Sequence, residues 1–433
     1  MGGSALTAGI NAWIEAVGDR LPVEFEILGY RPRPWHPADS IAVWKHRWWL
    51  LTGRLEAIVV AEAARRLLPD TLRDEVLSCE LADETIVPGG TPDGAAFARG
   101  GDYAEGSNNW VVGGARTTTG KPVLCSDPHN QFFAPSQWFE AQLTCPEFDA
   151  AGAFYVGTPA LYLGRNRHVA WGLTNHAASV RDLYMEEVRP ENPHEYRDGE
   201  GWRPFEVERQ RIGVAGGPDE EIVIRRTVRG PIVNDLLPAL GDDRVPPLAL
   251  RWYGAECESG FESSLALLRA KSADDVLAAL RLWPCPPLNY VYAEEAGRFG
   301  YHVAGRIPRR RNGGTFFRRA NDPADAWDGF VSFDELPQAA NPAQGWIATA
   351  NNVPWRRDPW YLSIGNWSDG YRARRIRERL TAKERYTPEE VAAVQADVHS
   401  IRARDLVPVL LRLLAEAPSA TGDDHLNTAV AAL

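Results

Sequence analysis

A possible nucleophile stands about a quarter of the way along the chain, at Ser107. A long glycine-rich stretch leads to Gly106 and Ser107, and two asparagines, a tryptophan and two β-branched residues follow. A serine hydroxyl is a poor nucleophile until a base takes its proton, and an N-terminal serine can use its own α-amine, whose pKa is about 7.7 to 8.0. The stretch therefore indicates that Ser107 becomes an N-terminus. The alternative, usual for an isolated Gly-Ser, is that Ser107 merely begins a strand.

The pattern of the chain changes on either side of this serine. Residues 1 to about 78 have helical periodicity, with Asp39 or Ser40 predicted to cap a helix that continues to Leu67. Glycine and proline interrupt residues 82–106, and a loop of this length is usually functional or a linker. Beyond Ser107, short β-rich runs alternate with Gly, Pro and Asn turns, which predicts antiparallel sheet.

Composition and charge exclude several classes of protein. The 433 residues are 44% hydrophobic and carry a net charge of −11, so the chain is globular and nucleic acid is not an expected partner. No apolar run reaches the roughly 18 residues that cross a bilayer, and we expect no export signal in the chain as written. Five widely spaced cysteines indicate neither a disulfide framework nor a structural zinc site.

Several ordered motifs resemble the penicillin acylase (penicillin amidase) family of N-terminal-nucleophile hydrolases, which includes acyl-homoserine lactone, aculeacin and cephalosporin acylases. The second chain of these enzymes begins Ser-Asn-x-Trp, which residues 107–110 match. The resemblance spans roughly residues 8 to 415. Further blocks follow in the family order: residues 111–113, 127–129, 162–166, 169–175, 289–293, 305–308, 341–342, 350–352 and 370–373.

The resemblance implies roles for five positions. Ser107 would be the nucleophile, exposed by autocatalytic cleavage of the bond between Gly106 and Ser107. The backbone N–H of Asn175 and the side-chain amide of Asn351 would form the oxyanion hole. Arg372 would orient the site. The alternative is that Arg372 is one arginine among many on a solvated helix face.

His129 departs from one branch of the family. Penicillin G acylase has glutamine at this position, whereas cephalosporin and lactone acylases have histidine. A histidine beside the nucleophile can exchange a proton at neutral pH and polarise the serine. The alternative is a structural histidine whose hydrogen bonds are satisfied within the fold.

A structural calcium ion is a further expectation from the resemblance. Glu56 and Asp182 fall at positions where the family has calcium-binding carboxylates, but Ser179 stands where an aspartate is expected. Because calcium prefers several oxygen ligands, often charged ones, this loss weakens the predicted site.

The resemblance implies an α/β (α+β) protein with a four-layer αββα fold, in which two stacked, mainly antiparallel sheets lie between helices. Residues 1–82 would form the first chain, 83–106 a spacer, and 107–433 a truncated second chain of a heterodimer processed from one precursor. Family members are usually periplasmic or secreted.

The expected reaction is hydrolysis of an N-acylated small molecule of the β-lactam, acyl-homoserine lactone or lipopeptide type, through an acyl-enzyme on Ser107. The rival is a truncated, non-catalytic relative that binds an apolar ligand or a sugar. A second rival is a β-rich enzyme in which Ser107 remains internal.

Overall fold

The computed structural model describes residues 2–52, 55–77, 84–88, 106–237, 245–311, 316–355 and 367–416. The helices in these ranges are α1 (Gly2–Val17), α2 (Val23–Leu28), α3 (Pro37–Leu51), α4 (Leu55–Leu67), α5 (Asp70–Leu77), α6 (Tyr253–Glu256), α7 (Phe261–Arg269), α8 (Ala273–Leu280), α9 (Tyr371–Thr381), α10 (Pro388–Ala392) and α11 (Ile401–Glu416). None of them is long and apolar enough to cross a membrane.

The strands of the same ranges are mostly short. They are β1 (Gly106–Val112), β2 (Val123–His129), β3 (Trp138–Thr144), β4 (Asp149–Tyr155), β5 (Leu161–Arg165), β6 (Val169–Asn175), β7 (Arg181–Met185), β8 (Val188–Arg189), β9 (Asn192–Asp198), β10 (Gly201–Pro204), β11 (Glu206–Ile212), β12 (Glu220–Thr227), β13 (Gly230–Pro231), β14 (Leu248–Trp252), β15 (Leu288–Glu294), β16 (Phe299–Ala304), β17 (Pro308–Arg310), β18 (Arg318–Arg319), β19 (Trp327–Phe330), β20 (Gln338–Ala340) and β21 (Trp346–Thr349).

Two antiparallel sheets stack at the centre of the molecule. One has seven strands in the order β20-β16-β15-β6-β5-β4-β3, and the other has three in the order β2-β1-β21. The smaller sheet packs on β6 and β15, while α7 and α8 cover the opposite face of the larger sheet and α9 and α10 pack on the smaller sheet. This arrangement confirms the predicted four-layer αββα fold with mainly antiparallel sheets.

Strand β1 is buried on both faces, which explains its continuous apolar run. Trp110 and Val112 pack with the side chains of α9 and α10, whereas Val111 packs between the two sheets. Because side chains alternate along a strand, Ser107 projects on the same side as Val111, toward the larger sheet. Ser107 pairs with Pro128 across the ladder, close to the end of the sheet.

The predicted helix from Asp39 or Ser40 to Leu67 is wrong in its start and in its continuity. Helix α3 begins at Pro37, and His36 is its N-cap: the ring of His36 accepts a bond from the Ala38 N–H, and the Asp39 carboxylate accepts one from the His36 N–H. Proline suits the first position of a helix because it has no N–H to satisfy there. The helix ends at Leu51, and α4 begins at Leu55.

Most of the predicted spacer, 83–106, lies outside the described residues, so the division into two chains and a spacer stays a prediction. Its described residues are 84–88, which bond to the rest of the fold, and Gly106, which begins β1. Ile86 donates its N–H to the Val353 carbonyl (3.1 Å), and Val87 donates to the Pro354 carbonyl (2.9 Å).

Candidate active site

Ser107 and Asn351 are 244 residues apart in sequence and in direct contact in the fold. The Ser107 backbone N–H donates to Oδ1 of Asn351 at 2.7 Å. The Ser107 hydroxyl donates to the Gly106 carbonyl oxygen at 2.5 Å, so Oγ lies against the peptide group that the predicted cleavage would break. The structure therefore brings together the predicted nucleophile, the predicted scissile bond and one predicted oxyanion residue.

An unusual backbone conformation directs the side chain of Asn351. This residue follows β21 and has a φ of +60°, in the left-handed region that asparagine tolerates better than most residues. The Ser368 N–H donates to its carbonyl oxygen at 2.9 Å. Its Nδ2 donates to the Asn175 carbonyl oxygen, also at 2.9 Å. Asn351 thus links the backbone of Ser107 to the end of β6.

Asn175 is the last residue of β6, and its backbone N–H points away from the neighbouring strand β15. The next residue, His176, donates its N–H to the Pro287 carbonyl at 3.1 Å. Because hydrogen-bonded positions alternate in an antiparallel ladder, the Asn175 N–H is directed to the other side. Its side-chain Nδ2 donates to the Leu51 carbonyl at 2.6 Å, which ties the C-terminal end of α3 to the site.

Arg372 lies at the N-terminal end of α9 and bonds to four oxygen atoms around Ser107. Its Nη1 donates to the Ser107 carbonyl (2.8 Å) and to Oδ1 of Asn108 (2.7 Å). Its Nη2 donates to Oδ1 of Asn351 (2.9 Å) and to the hydroxyl of Ser368 (3.3 Å). Arg372 therefore contacts the predicted nucleophile and Asn351 and does not lie on a solvated helix face.

All four of these oxygens are neutral. None of these four partners of Arg372 is therefore a carboxylate that would balance its charge. Withdrawal from water lowers the pKa of Arg372 to about 10, although Asp369 and Asp127 act in the opposite direction. A positive charge held among neutral oxygens is a strong local source of potential. The guanidinium bonds the Ser107 carbonyl and the same Asn351 oxygen that accepts the Ser107 backbone N–H.

The backbone of Gly106 lies close to two side chains of the site. A Cβ added there would lie 2.9 Å from Nη2 of Arg372 and 3.4 Å from Oδ1 of Asn351. A side chain at this position would therefore require the end of Arg372 to shift.

His129 ends β2 and contacts the neighbour of the predicted nucleophile. Its Nε2 lies 3.1 Å from Nδ2 of Asn108 and 3.0 Å from Oδ2 of Asp127. Gln395 donates to the other oxygen of Asp127 at 3.0 Å. Burial would raise the pKa of Asp127, but the hydrogen bonds from His129, Gln395 and Asn108 outweigh it and lower the pKa. His129 thus reaches Ser107 through Asn108.

A buried polar chain beneath the site has no counterpart in the sequence-based interpretation. Asn289 donates to the Thr174 hydroxyl (3.0 Å) and to the carbonyl of Asn175 (3.2 Å), and Thr174 contacts the Thr349 hydroxyl (2.8 Å). Thr349 in turn bonds Oδ1 of Asn109. Polar residues within otherwise apolar strands are the signal that could have identified this chain, because buried polar groups need partners.

The predicted calcium position does not fit a calcium ion. The buried Asp182 carboxylate pairs with Arg310 (2.8 Å) and Arg318 (3.1 Å) and also accepts a bond from the indole N–H of Trp327. Two guanidinium groups already balance this carboxylate and would repel a cation. Glu56 is exposed on α4.

Ser179, the residue in place of the expected aspartate, donates its hydroxyl to the Arg181 carbonyl at 2.9 Å. Within the described ranges, no three acidic, histidine or cysteine side chains group closely enough to hold a metal ion.

Comparison with known proteins identifies relatives along the whole chain. The profile of the family described as Penicillin amidase matches residues 4–433. Penicillin acylase 2 proenzyme of Pseudomonas sp. (strain SE83) is 32% identical over 92% of this chain and 53% of the relative. Acyl-homoserine lactone acylase QuiP of Pseudomonas aeruginosa is 28% identical over 91% of this chain and 50% of the relative.

A solved structure extends this similarity to the fold. Thermostable penicillin G acylase from Alcaligenes faecalis superposes with a TM-score of 0.61 and 25% identity, over 75% of this chain and 58% of that chain. The chain spans about half the length of the curated relatives that it matches. On the family match, the ordered motifs and the αββα fold, this chain belongs to the penicillin amidase family.

Proposed function

We propose that this protein hydrolyses the linear amide bond of an N-acylated small molecule, with Ser107 as the nucleophile after cleavage of the Gly106–Ser107 bond. The observation that carries the proposal is the hydrogen bond from the Ser107 backbone N–H to Asn351, together with the Ser107 hydroxyl 2.5 Å from the Gly106 carbonyl oxygen.

The processing step needs only groups at the start of β1. The Ser107 Oγ attacks the Gly106 carbonyl carbon, the C–N bond breaks, and the Ser107 nitrogen takes up the proton, leaving Gly106 as an ester on Oγ. Water then hydrolyses the ester. The immediate products are a chain that ends at Gly106 and a second chain whose first residue is Ser107 with a free α-amine.

The acyl-transfer reaction repeats this chemistry on the substrate. Oγ attacks the amide carbon as the α-amine accepts its proton, and the amine product leaves with that proton. The negative oxygen of the intermediate lies between the Asn175 N–H and Nδ2 of Asn351. One such donor is worth about 3 kcal/mol, roughly a hundredfold in rate. A water activated by the α-amine releases the acyl group.

Arg372 adjusts the α-amine to this role. A nearby positive charge disfavours the protonated amine and lowers its pKa, so a larger fraction is a neutral base at physiological pH. Oδ1 of Asn351, which accepts bonds from both groups, holds the amine nitrogen beside the guanidinium. His129 positions the adjacent Asn108 from the other side.

The names of the relatives suggest the class of substrate. Penicillin acylase and acyl-homoserine lactone acylase both remove an acyl group from an amine, so we propose a β-lactam, acyl-homoserine lactone or lipopeptide type of N-acyl compound. The functional enzyme would be a heterodimer of two chains from one precursor. The rival function, a non-catalytic relative that binds an apolar ligand or a sugar, requires the chain to stay whole and inert.

Intact mass and N-terminal analysis of the purified protein test the proposal. We expect two chains, the larger beginning at Ser107, and release of the amine from a panel of chromogenic acyl amides. A Ser107→Ala variant is expected to remain one chain without activity. Ser126→Ala is the matched control, because Ser126 lies on β2 opposite Asn109 and has no role in the proposed step.

Each other outcome contradicts a defined part of the proposal. A whole wild-type chain that still hydrolyses amides would exclude the α-amine as the base. A whole and inert chain would support the ligand-binding rival. Cleavage at Ser107 without release of any acyl group would retain the processing step and reject the hydrolase activity.

A further inference from the structure

Lys45, a half-buried residue of α3, has the Cys257 thiol as a close neighbour. Its ammonium donates to the carbonyl oxygens of Gly254 (2.6 Å) and Cys257, and its Nζ lies 4.0 Å from Sγ of Cys257. The same ammonium lies 4.9 Å from the ring centre of Trp48. These oxygens and this ring are neutral, so the sulfur is the member of this set that can carry a balancing negative charge.

The surroundings of Cys257 favour loss of its thiol proton. A hydrogen bond from the Cys285 thiol lowers the pKa of Cys257 most, and burial opposes it. The positive charges of Lys45 and Arg306 lower this pKa further. The Gly254 carbonyl, 3.9 Å from Sγ, can accept the thiol proton but already accepts a bond from Lys45. Because the thiolate is the reactive form of cysteine, Cys257 has the features of a reactive residue.

Cys285 supplies a second thiol beside the first. It is fully buried, three residues before β15, and burial raises its pKa well above the ordinary value. Its segment packs against the segment that follows Cys257. A Cβ added at Gly260 would lie 2.6 Å from Cδ of Pro284 and 3.7 Å from Cε3 of Trp283. The two cysteines thus combine an ionisable thiol with a neighbour that retains its proton.

We infer that Cys257 is a peroxide-reactive thiolate and that Cys285 is the thiol that converts its oxidised form into a disulfide. The site is a reversible modification site and does not depend on the proposed hydrolase function. A peroxide is the oxidant that the reaction requires, and reduction by a small dithiol restores both cysteines.

The reaction has two steps. Sγ of Cys257 attacks one oxygen of hydrogen peroxide, the O–O bond breaks, and the other oxygen leaves as hydroxide, so that Cys257 becomes a sulfenic acid. Sγ of Cys285 then attacks Sγ of Cys257, the S–O bond breaks, and the departing hydroxide takes the proton of Cys285. In total, two thiols and one hydrogen peroxide give one disulfide and two water molecules.

The disulfide would join the two ends of a helical layer. Helices α7 and α8 lie between Cys257 and Cys285 in sequence and cover the outer face of the larger sheet. Closing this loop lowers the entropy of the unfolded chain and therefore favours the folded state. We expect the oxidised protein to have a higher Tm than the reduced protein.

Timed oxidation tests the reactivity of Cys257. The reduced protein is exposed to hydrogen peroxide, catalase stops the reaction, and the remaining thiols are labelled after unfolding and measured by peptide mass analysis. We expect Cys257 to lose its thiol faster than the exposed Cys145 by on the order of ten-fold, because a larger fraction of it is ionised.

Substitutions of lysine locate the origin of that reactivity. Lys45→Met keeps most of the side-chain length but removes the charge, and it should slow the oxidation of Cys257 several-fold. Lys45→Arg should keep most of the rate. Lys121→Met is the matched control, because the Lys121 ammonium also donates to a backbone carbonyl, that of Glu295, and its loss should leave the rate unchanged.

The cross-linked peptide identifies the second thiol. Digestion without reductant should give the Cys257 and Cys285 peptides joined, with two hydrogen atoms fewer than their sum, and dithiothreitol should separate them. In Cys285→Ser, Cys257 should stop at the sulfenic acid, which dimedone traps, and the Tm difference between oxidised and reduced protein should disappear. Cys145→Ser is the control and should retain both the cross-link and the Tm difference.

Two results in the wild-type protein would overturn the inference. One is oxidation of Cys257 no faster than that of Cys145. The other is a Cys257 that is oxidised while Cys285 stays a free thiol. Both readouts are thiol masses and need no cleavage of an amide, so failure of the hydrolase proposal would leave this test unaffected.

Discussion

The arginine side chains near Asp182 and the one near Ser107 have different surroundings. Around Asp182, the guanidinium groups of Arg310 and Arg318 share one carboxylate, and all three side chains are at most 2% exposed. Around Ser107, the hydrogen bonds of Arg372 within the described part of the chain go to neutral oxygens of backbone, amide and hydroxyl groups.

The difference indicates separate roles for the two groups. A carboxylate that already bonds two guanidinium groups and an indole has its field largely compensated, and the cluster connects β7, β17, β18 and β19. Neutral oxygens do not cancel the charge of Arg372. Its positive potential therefore acts where the proposed α-amine base must be unprotonated and the proposed oxyanion must form. The first group serves stability, and the second is suited to chemistry.

The largest effect is expected from removing the positive charge of Arg372 beside Ser107. Arg372→Met should lower kcat/KM by about 100- to 1,000-fold, because the site loses both positioning and electrostatic support. Without the cation, the pKa of the Ser107 α-amine rises, so the acid limb of the pH profile moves to higher pH. Activity against pH on a chromogenic amide measures both effects.

The control for this prediction lies two residues further along α9. Arg374 pairs with Asp405 at the surface, and Arg374→Met should leave the acid limb in place. Mass analysis of each variant separates failed processing from slow turnover. An acid limb that does not move in processed Arg372→Met would refute the electrostatic role of Arg372.

The sequence predicted which residues meet around Ser107 better than it predicted the contacts that support them. Ser107, Asn175, Asn351 and Arg372 stand in ordered motifs, and the structure places all four together. The bond from Asn175 to the Leu51 carbonyl could not be predicted, because every residue has a carbonyl and only the fold selects one.

Other features depended on contacts between distant parts of the chain. The surroundings of Asp182, a predicted calcium ligand, are one such feature. Arg310 and Arg318 are more than 120 residues beyond Asp182 in sequence, and their approach to it is visible only in the folded chain.

A loss of stability, not of chemistry, is expected from the Asp182 group. Asp182→Asn should lower the free energy of unfolding by about 3 to 5 kcal/mol, because it leaves two buried guanidinium groups without their counter-charge. Asp328→Asn, which removes an exposed pair with Arg311, should cost less than about 1 kcal/mol. Denaturant unfolding measures both values.

A shift in the pH profile of the folded Asp182→Asn enzyme would contradict the separate roles of the two groups. In that case the Asp182 group would act on the Ser107 site and would not be purely structural. Unchanged catalytic constants per folded molecule would keep the two roles separate.

The smallest effect is expected from chelation, which tests whether arginine or calcium balances Asp182. An ion that binds only the folded state adds stability in proportion to the logarithm of its concentration over its dissociation constant, so its removal lowers Tm. Because Arg310 and Arg318 already balance the carboxylate, we expect EGTA to shift Tm by less than about 1 °C. A drop of several degrees that added calcium reverses, with one calcium per molecule by elemental analysis, would show that the arginine pairs yield to the metal.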